Sequence, residues 1–214
     1  MEIKLLPANC YPGRSIKIEG LAVHFTSGIS KDVEPSNPFD PEVVWRMLHD
    51  LNLPKSGRKF YPNCAGIGRM HASYNELIGR ERGEDLLLVP FGKETYHAGV
   101  SLHKGRPDCN KFMASVALIG TEESEFTDWQ YERLAQVAAE RRAIDGFPND
   151  DIAGHDRLRW NAKQAGMTHD DGRIPDDKRD PSGKKDGTGK NFDWPRLYSM
   201  VDKLLAQRGK LAVS

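Results

Sequence analysis

The chain has 214 residues, of which 38% are hydrophobic and 29% are charged, a balance typical of a protein that buries one sizeable core. Its 31 Lys and Arg residues balance its 31 Asp and Glu residues, so the zero formal net charge favours no nucleic-acid or other polyanionic partner. The three cysteines, Cys10, Cys64 and Cys109, are too few and too scattered for a disulfide framework or a cysteine-based zinc site.

The N-terminal residues MEIKLLPANCYPG contain neither a long apolar run nor a small-residue cleavage site, so no signal peptide is predicted. No stretch of the sequence is apolar enough to span a membrane. We therefore expect a protein that is cytoplasmic when made, does not insert into membranes and acts as a monomer. The length predicts one domain over residues 1–214.

The first half of the chain predicts three strands and one helix. RSIKIEGLAVHFTS has the apolar, β-branched character of a strand and leads into His24 near its end. NPFDPEVVWRMLHDLNL predicts a helix with Asp40 as N-cap and Pro41 at the first helical position. ASYNELIGRERGEDLLLVPFG then predicts two strands around a charged turn at residues 80–83.

The second half predicts a buried strand and two helices. KFMASVALIGT is almost entirely apolar, which is typical of a central strand covered on both faces. EFTDWQYERLAQVAAERRAIDG predicts a long helix with Thr127 as N-cap, and WPRLYSMVDKLLAQ predicts a final helix. Residues 160–191 are rich in Asp, Lys, Gly and Pro and predict a long loop. This mixture predicts an α/β fold with a central mixed β-sheet flanked by helices.

Three places put metal-ligand residue types beside loops. His24 lies near a strand end, His155 lies in IAGHDRLR after the long helix, and Asp180 lies in DDKRDPSG with Lys178 two residues before it. Zinc binds imidazole nitrogen and carboxylate oxygen, and a catalytic zinc uses three protein ligands. Spacing alone is weak evidence for zinc, because no pair has the short helical spacing of a strong zinc motif. Taken singly, each residue also fits a structural role. The histidine of YHAGVS, His97, likewise fits a packed turn.

The order of these segments along the chain favours the zinc-binding role over the structural one. VHFTSG, VPFGKETYHAGVS, EFTDWQYERLAQV after a buried strand, IAGHDRLR and KRDPSG followed by NFDWPRL together resemble the type-2 N-acetylmuramoyl-L-alanine amidases. This zinc family includes phage endolysins, a cytoplasmic muropeptide-recycling amidase and the peptidoglycan recognition proteins. The resemblance runs from about residue 18 to about residue 201.

The resemblance implies specific roles for residues of this chain. One Zn²⁺ ion would be held by His24, His155 and Asp180 on an open face of the sheet. Lys178 matches the lysine that stabilises the oxyanion in the family. His97 matches a histidine beside the substrate groove that is not a zinc ligand.

The chain departs from the family at the catalytic base. Members such as the recycling amidase carry a glutamate in the central strand, where this chain has Ala117. Phage lysozyme-type members also lack that glutamate and use a tyrosine on the neighbouring strand, a place held here by Glu76. Because Tyr74, Glu76 and Ile78 alternate along one predicted strand face, we expect Glu76 to face the zinc and act as base rather than lie in solvent.

A second departure is the long insert between His155 and Asp180, within the loop predicted at residues 160–191. It makes His169, Asp170 and Asp171 rivals for the third ligand position. Asp180 has the better local context, because Pro181 and NFDWPRL follow it as they do in the family. We expect the insert to form a surface flap bordering the groove.

The predicted reaction is hydrolysis of the amide between N-acetylmuramic acid and L-alanine in peptidoglycan. The missing strand glutamate, the insert and the lack of a separate wall-binding domain favour a phage endolysin that reaches the periplasm and cell wall through a holin. One alternative is a cytoplasmic amidase that recycles anhydro-muropeptides. Another is a non-catalytic peptidoglycan-binding module, although the retained ligands and lysine argue against it.

Overall fold

The structure is a computed structural model that describes residues 2–6, 13, 17–26, 40–51, 74–121, 124–169, 172, 174–175 and 192–211. The strands are β1 (Glu2–Ile3), β2 (Gly20–Phe25), β3 (Glu76–Ile78), β4 (Leu86–Leu87), β5 (Leu102–His103), β6 (Arg106–Pro107), β7 (Met113–Leu118) and β8 (Ile152–Gly154). The helices are α1 (Pro41–Leu51), α2 (Cys109–Phe112), α3 (Asp128–Asp145), α4 (His155–Gln164) and α5 (Trp194–Leu211).

Six strands form one sheet in the order β1-β4-β3-β7-β2-β8, and β5 and β6 form a separate hairpin. β3, β7, β2 and β8 run parallel to one another, whereas β4 is antiparallel to β3. The sheet is therefore mixed, as predicted. β7 lies in its interior with all six residues buried, which confirms the central strand expected from its apolar sequence.

Helices cover both faces of the sheet. On one face, Val23 and Val116 pack with Leu134 of α3 and Leu197 of α5. On the other face, Leu77 and Ala117 pack with Val44 of α1, and a neighbouring cluster joins Ala22 and Met113 to Leu158 of α4. Since successive strand residues point to opposite faces, each strand contributes to both layers. The prediction of a mixed sheet flanked by helices is confirmed.

The predicted helix starts are also confirmed. The Thr127 hydroxyl accepts a hydrogen bond from the Gln130 N–H, and the Gln130 side chain accepts one from the Thr127 N–H, which forms a capping box at the start of α3. At the start of α1, the Glu42 N–H donates to Asp40 Oδ1 at 2.8 Å. These bonds satisfy backbone donors that have no partner within the first helical turn.

Two boundaries differ from the sequence prediction. β2 begins at Gly20, several residues after the start of the predicted strand. α4 extends to Gln164, so the first residues of the loop predicted from residue 160 are helical. The spacing of its buried residues Leu158 and Ala162 explains this helix, because residues four apart share one helix face. None of the described helices is long and apolar enough to cross a membrane.

Candidate active site

His24 and His155 lie side by side at the ends of neighbouring strands. In the parallel register of β2 and β8, Val23 pairs with Gly154, so the residues that follow them, His24 and His155, reach the same level. Their ring centroids are 4.5 Å apart, and their exposed fractions are 1% and 7%. The structure thus brings together two predicted zinc ligands that are far apart in sequence.

His97 contacts His24 from the loop between β4 and β5. Its Nδ1 lies 3.1 Å from His24 Nε2, and the two rings meet edge to face with centroids 5.1 Å apart. His97 is buried, with 6% of its surface exposed. Its predicted position beside the ligand pair is therefore observed, and its role in substrate binding stays a prediction.

The ring of His155 is oriented by the backbone of the residue after His97. His155 Nε2 lies 3.4 Å from the carbonyl oxygen of Ala98. A carbonyl oxygen can only accept a hydrogen bond, so this contact places the proton of a neutral His155 ring on Nε2. The lone pair of that tautomer is then on Nδ1, as required of an imidazole that binds a metal through this atom.

The loop at residues 97–101 is held from α2. Asn110 Oδ1 accepts hydrogen bonds from the backbone N–H groups of both His97 and Ala98, each at 2.9 Å. At the other end of the loop, the Ser101 hydroxyl oxygen accepts a bond from the Cys109 N–H at 3.1 Å. Asn110 could not be predicted as part of the site, because nothing in a single sequence marks an amide that binds backbone groups.

The middle of this loop is held from α4. Arg159 Nη1 donates to the carbonyl of Val100 at 3.2 Å. The preceding residue, Gly99, has a φ of 54°, and a Cβ there would lie 2.6 Å from Arg159 Nη1. The left-handed backbone favours glycine here, and a side chain at this position would displace the guanidinium.

Glu76 lies on the opposite face of the sheet from His24, which contradicts the expectation that it faces the zinc. It pairs in register with Val116, a member of the cluster beneath α3. Its carboxylate accepts hydrogen bonds from Arg133 Nε at 2.7 Å and Arg133 Nη2 at 3.1 Å, and only 1% of Glu76 is exposed. In this position Glu76 cannot take a proton from a water bound between the histidines.

The alternation expected along this segment is interrupted at Asn75. Its side-chain Oδ1 accepts a hydrogen bond from the Ser115 N–H, while its own N–H donates to the Ser115 carbonyl, both at 2.9 Å. Asn75 therefore uses a side-chain oxygen where a regular ladder uses backbone alone. Tyr74 packs on the histidine face, with its ring centroid 5.1 Å from that of His24. The sequence predicted Tyr74 on the same strand face as Glu76 and gave it no role in the site.

Burial governs the charge on Glu76. Removal from water raises its pKa to about 7, against the opposing effect of Arg133. Asp85 is a second buried carboxyl of this cluster, 4.0 Å from Arg133 Nε and bonded by Trp129 Nε1 at 3.2 Å, and burial raises its pKa as well. The cluster joins the β3–β4 hairpin to α3, on the side away from the histidines.

The described side chains supply two of the predicted metal ligands. Within the described ranges, no group of three His, Cys, Asp or Glu side chains is arranged to hold a metal ion. Asp180, Lys178 and the rivals Asp170 and Asp171 lie outside the described residues. The carbonyl oxygen of His169, the remaining alternative for the third ligand, accepts a hydrogen bond from the Gly172 N–H at 2.8 Å. Two adjacent buried imidazoles are a donor set that suits zinc.

Ala117 pairs with His24 across β2 and β7, so the strand position beside the histidines carries no carboxylate. This agrees with the departure noted in the sequence, where the family's glutamate is replaced by alanine.

Comparison with known proteins identifies the family. A family model described as N-acetylmuramoyl-L-alanine amidase matches residues 15–182. The chain is 35% identical over 135 residues to the 1,6-anhydro-N-acetylmuramyl-L-alanine amidase AmpD of Enterobacter cloacae, covering 55% of this chain and 71% of that protein. It is 38% identical over 135 residues to the protein of the same name from Escherichia coli (strain K12), covering 55% and 72%.

Solved structures agree with this assignment. The crystal structure of a selenomethionine derivative of AmpD is 27% identical, with a TM-score of 0.64 and coverage of 94% of both chains. The solution structure of Citrobacter freundii AmpD is 28% identical, with a TM-score of 0.56 and coverage of 95% of this chain and 92% of that one. The chain therefore belongs to the N-acetylmuramoyl-L-alanine amidase family.

Proposed function

We propose that this protein is a zinc-dependent amidase that hydrolyses the bond between 1,6-anhydro-N-acetylmuramic acid and L-alanine in muropeptides. The adjacent, buried pair of His24 and His155 is the observation that carries the proposal. The substrate class is taken from the two relatives that are 35% and 38% identical, both of which are 1,6-anhydro-N-acetylmuramyl-L-alanine amidases.

This substrate replaces the one favoured by the sequence alone. The sequence alone favoured a phage endolysin, whose substrate is the polymeric cell wall. A recycling amidase, whose substrate is a soluble anhydro-muropeptide, was the alternative. The relatives that are more than 30% identical support the alternative. The absence of the strand glutamate at Ala117 is thus a departure within a recycling-type amidase. Export through a holin is not part of this proposal. A cytoplasmic location is the one that suits a soluble muropeptide substrate.

The residues that would hold zinc are His24, His155 and Asp180. Because Nε2 of each ring is engaged, by His97 for His24 and by the Ala98 carbonyl for His155, Nδ1 would be the ligand atom. Asp180 would complete three protein ligands and leave a position for water. When bound, zinc polarises a carbonyl and lowers the pKa of a bound water to about 7.

The reaction adds water across the amide. The hydroxyl of water forms a bond to the lactyl carbonyl carbon, the carbon–nitrogen bond breaks, and the amine of L-alanine takes up a proton. Lys178, by its family resemblance, would donate to the oxyanion of the tetrahedral intermediate. Tyr74 replaces Glu76 as the candidate for handling the proton, because its ring contacts His24.

The test is a comparison of two substrates. Purified protein loaded with zinc is incubated with a 1,6-anhydro-N-acetylmuramyl peptide and, separately, with intact peptidoglycan sacculi. We expect mass spectrometry to show anhydro-N-acetylmuramic acid and a peptide with a free L-alanine amine, with little release from sacculi. His155→Ala should abolish this release. Efficient release from sacculi without cleavage of the anhydro compound would refute the proposal and restore the endolysin.

A further inference from the structure

A single side chain outside the histidine cluster holds the backbone that contacts both candidate ligands. Asn110 Oδ1 accepts hydrogen bonds from two consecutive N–H groups, those of His97 and Ala98, each at 2.9 Å. Two bonds from one atom fix two successive peptide units relative to α2. The bond from the Cys109 N–H to Ser101 then ties the other end of the loop to the same helix.

Each residue held by Asn110 contacts a different ligand histidine. His97 places Nδ1 at 3.1 Å from His24 Nε2, and Ala98 places its carbonyl oxygen at 3.4 Å from His155 Nε2. Both contacts are made to the ring nitrogen opposite the one that would bind the metal. The position of one carboxamide therefore controls the orientation of two rings from different strands.

We propose that Asn110 is a positioning residue that sets the ring orientation of both His24 and His155 and the tautomer of His155. This inference rests on the proposed zinc site. A histidine whose Nε2–H is held by an acceptor presents its Nδ1 lone pair to the metal, and such outer partners fix both the tautomer and the ring plane. Without the Asn110 oxygen, two amide groups lose their acceptor and both ring contacts shift together.

The decisive variants differ only in the acceptor. Asn110→Leu removes the oxygen and keeps a similar volume, whereas Asn110→Asp keeps an oxygen that can accept both N–H groups. Asn161→Leu is a matched control, because Asn161 Nδ2 donates to the carbonyl of Leu102 beyond the loop and contacts neither histidine. Circular dichroism melts show which variants are folded.

Two measurements report positioning independently of turnover. Long-range ¹H–¹⁵N correlation spectra of the zinc-free protein, recorded at pH about 8 where imidazole is neutral, identify the protonated nitrogen of each ring. Competition with a chromophoric chelator gives the zinc Kd. We expect Asn110→Leu to convert His155 from one Nε2–H tautomer to a mixture and to weaken zinc binding about 10–100-fold. In Asn110→Asp, His155 should keep the single Nε2–H tautomer, and the zinc Kd should lie within about threefold of that of the unaltered protein. Asn161→Leu should change neither the tautomer nor the Kd.

The outcomes separate this inference from the proposed function. If the unaltered protein binds no zinc, the proposed function fails first. If it binds zinc and Asn110→Leu leaves tautomers and Kd unchanged, or Asn110→Asp is as defective as Asn110→Leu while folded, Asn110 is not a positioning residue. Should Asn110→Leu not fold, the unaltered protein still decides, because an Nδ1–H tautomer of His155 in the zinc-free state overturns the inference.

Discussion

Tyr74 and Glu76 are separated by one residue in the chain and lie on opposite faces of the sheet. Tyr74 contacts His24, whereas Glu76 is bound by Arg133 of α3. The hydrogen bonds of Asn75 with Ser115 lie at the point where the alternation breaks. The two residues are therefore expected to serve different purposes, Tyr74 in the site and Glu76 in the stability of the opposite face.

Conservative changes at these two positions should separate activity from stability. We expect Tyr74→Phe, which removes only the hydroxyl, to lower kcat by about 100-fold or more if that group handles a proton. Glu76→Gln should leave kcat within about twofold, because its side chain faces α3. The measurement is release of L-alanyl peptide at saturating substrate. An inactive Glu76→Gln variant that is folded and binds zinc, beside an active Tyr74→Phe variant, would return the base role to Glu76.

Glu76 should also give the protein a characteristic pH dependence of stability. Its pKa is raised to about 7 in the folded protein by burial, so the folded state binds this proton more tightly than the unfolded chain. The stability it contributes is full below the unfolded pKa, about 4.3, and is lost as pH rises through about 7.

Urea unfolding between pH about 5 and about 8 isolates this contribution when the unaltered protein is compared with Glu76→Gln. Glutamine mimics the neutral carboxyl and does not ionise, so we expect the unaltered protein to lose unfolding free energy relative to the variant as the pH rises. Asp85, whose pKa is raised in the same direction, shares Arg133 with Glu76, so the comparison is repeated in an Asp85→Asn background, where this second carboxyl cannot titrate. A difference that stays constant, or that grows in favour of the unaltered protein, contradicts the shifted pKa.

The ligand set can be assigned by zinc content. His24→Ala, His155→Ala and Asp180→Ala should each lose zinc and abolish amide hydrolysis, because each removes one of three ligands. His169→Ala is the matched control, since it removes the rival histidine of the insert. Metal analysis of the purified variants by mass spectrometry gives the answer. Retention of zinc by Asp180→Ala with its loss from His169→Ala would move the third ligand to His169.

Removal of zinc should lower the melting temperature. A ligand present at about 100 times its Kd stabilises the folded state by about 2.7 kcal/mol. For a domain of this size that corresponds to a decrease of about 5–10 °C in Tm on chelation. Differential scanning calorimetry with and without chelator measures the shift, and re-addition of zinc should reverse it. An unchanged Tm in protein shown to contain zinc would mean that the unfolded chain binds the metal as tightly.

The elements with local signals were predictable from sequence. Thr127 and Asp40 mark helix starts because their side chains bond backbone groups that every helix leaves unpaired, and those bonds are present. β7 was predictable as a central strand because a strand covered on both faces contains few polar residues. The adjacency of His24 and His155 came only from the family resemblance, because strand pairing between distant segments leaves no local signal.

The predictions from sequence failed mainly where a side chain takes the place of a backbone hydrogen-bond partner. Period-two alternation assumes an unbroken ladder, and Asn75 breaks it with its own carboxamide, so the direction of Glu76 was predicted wrongly. Asn110 escaped notice for a related reason, because its partners are backbone N–H groups that any residues could supply. The start of α4 was missed because Gly154 offers no capping side chain.

The pairing of β2 with β8 also limits how early the proposed site can form during synthesis. His24 emerges from the ribosome early, whereas β8 and His155 emerge only after most of the sheet has been synthesised. A nascent or truncated chain that stops before residue 152 can contain β3, β4 and β7, yet it lacks one of the two paired histidines. In the proposed site, hydrolytic competence is therefore a late event, because the second histidine joins the first only after β8 has paired at the edge of the sheet.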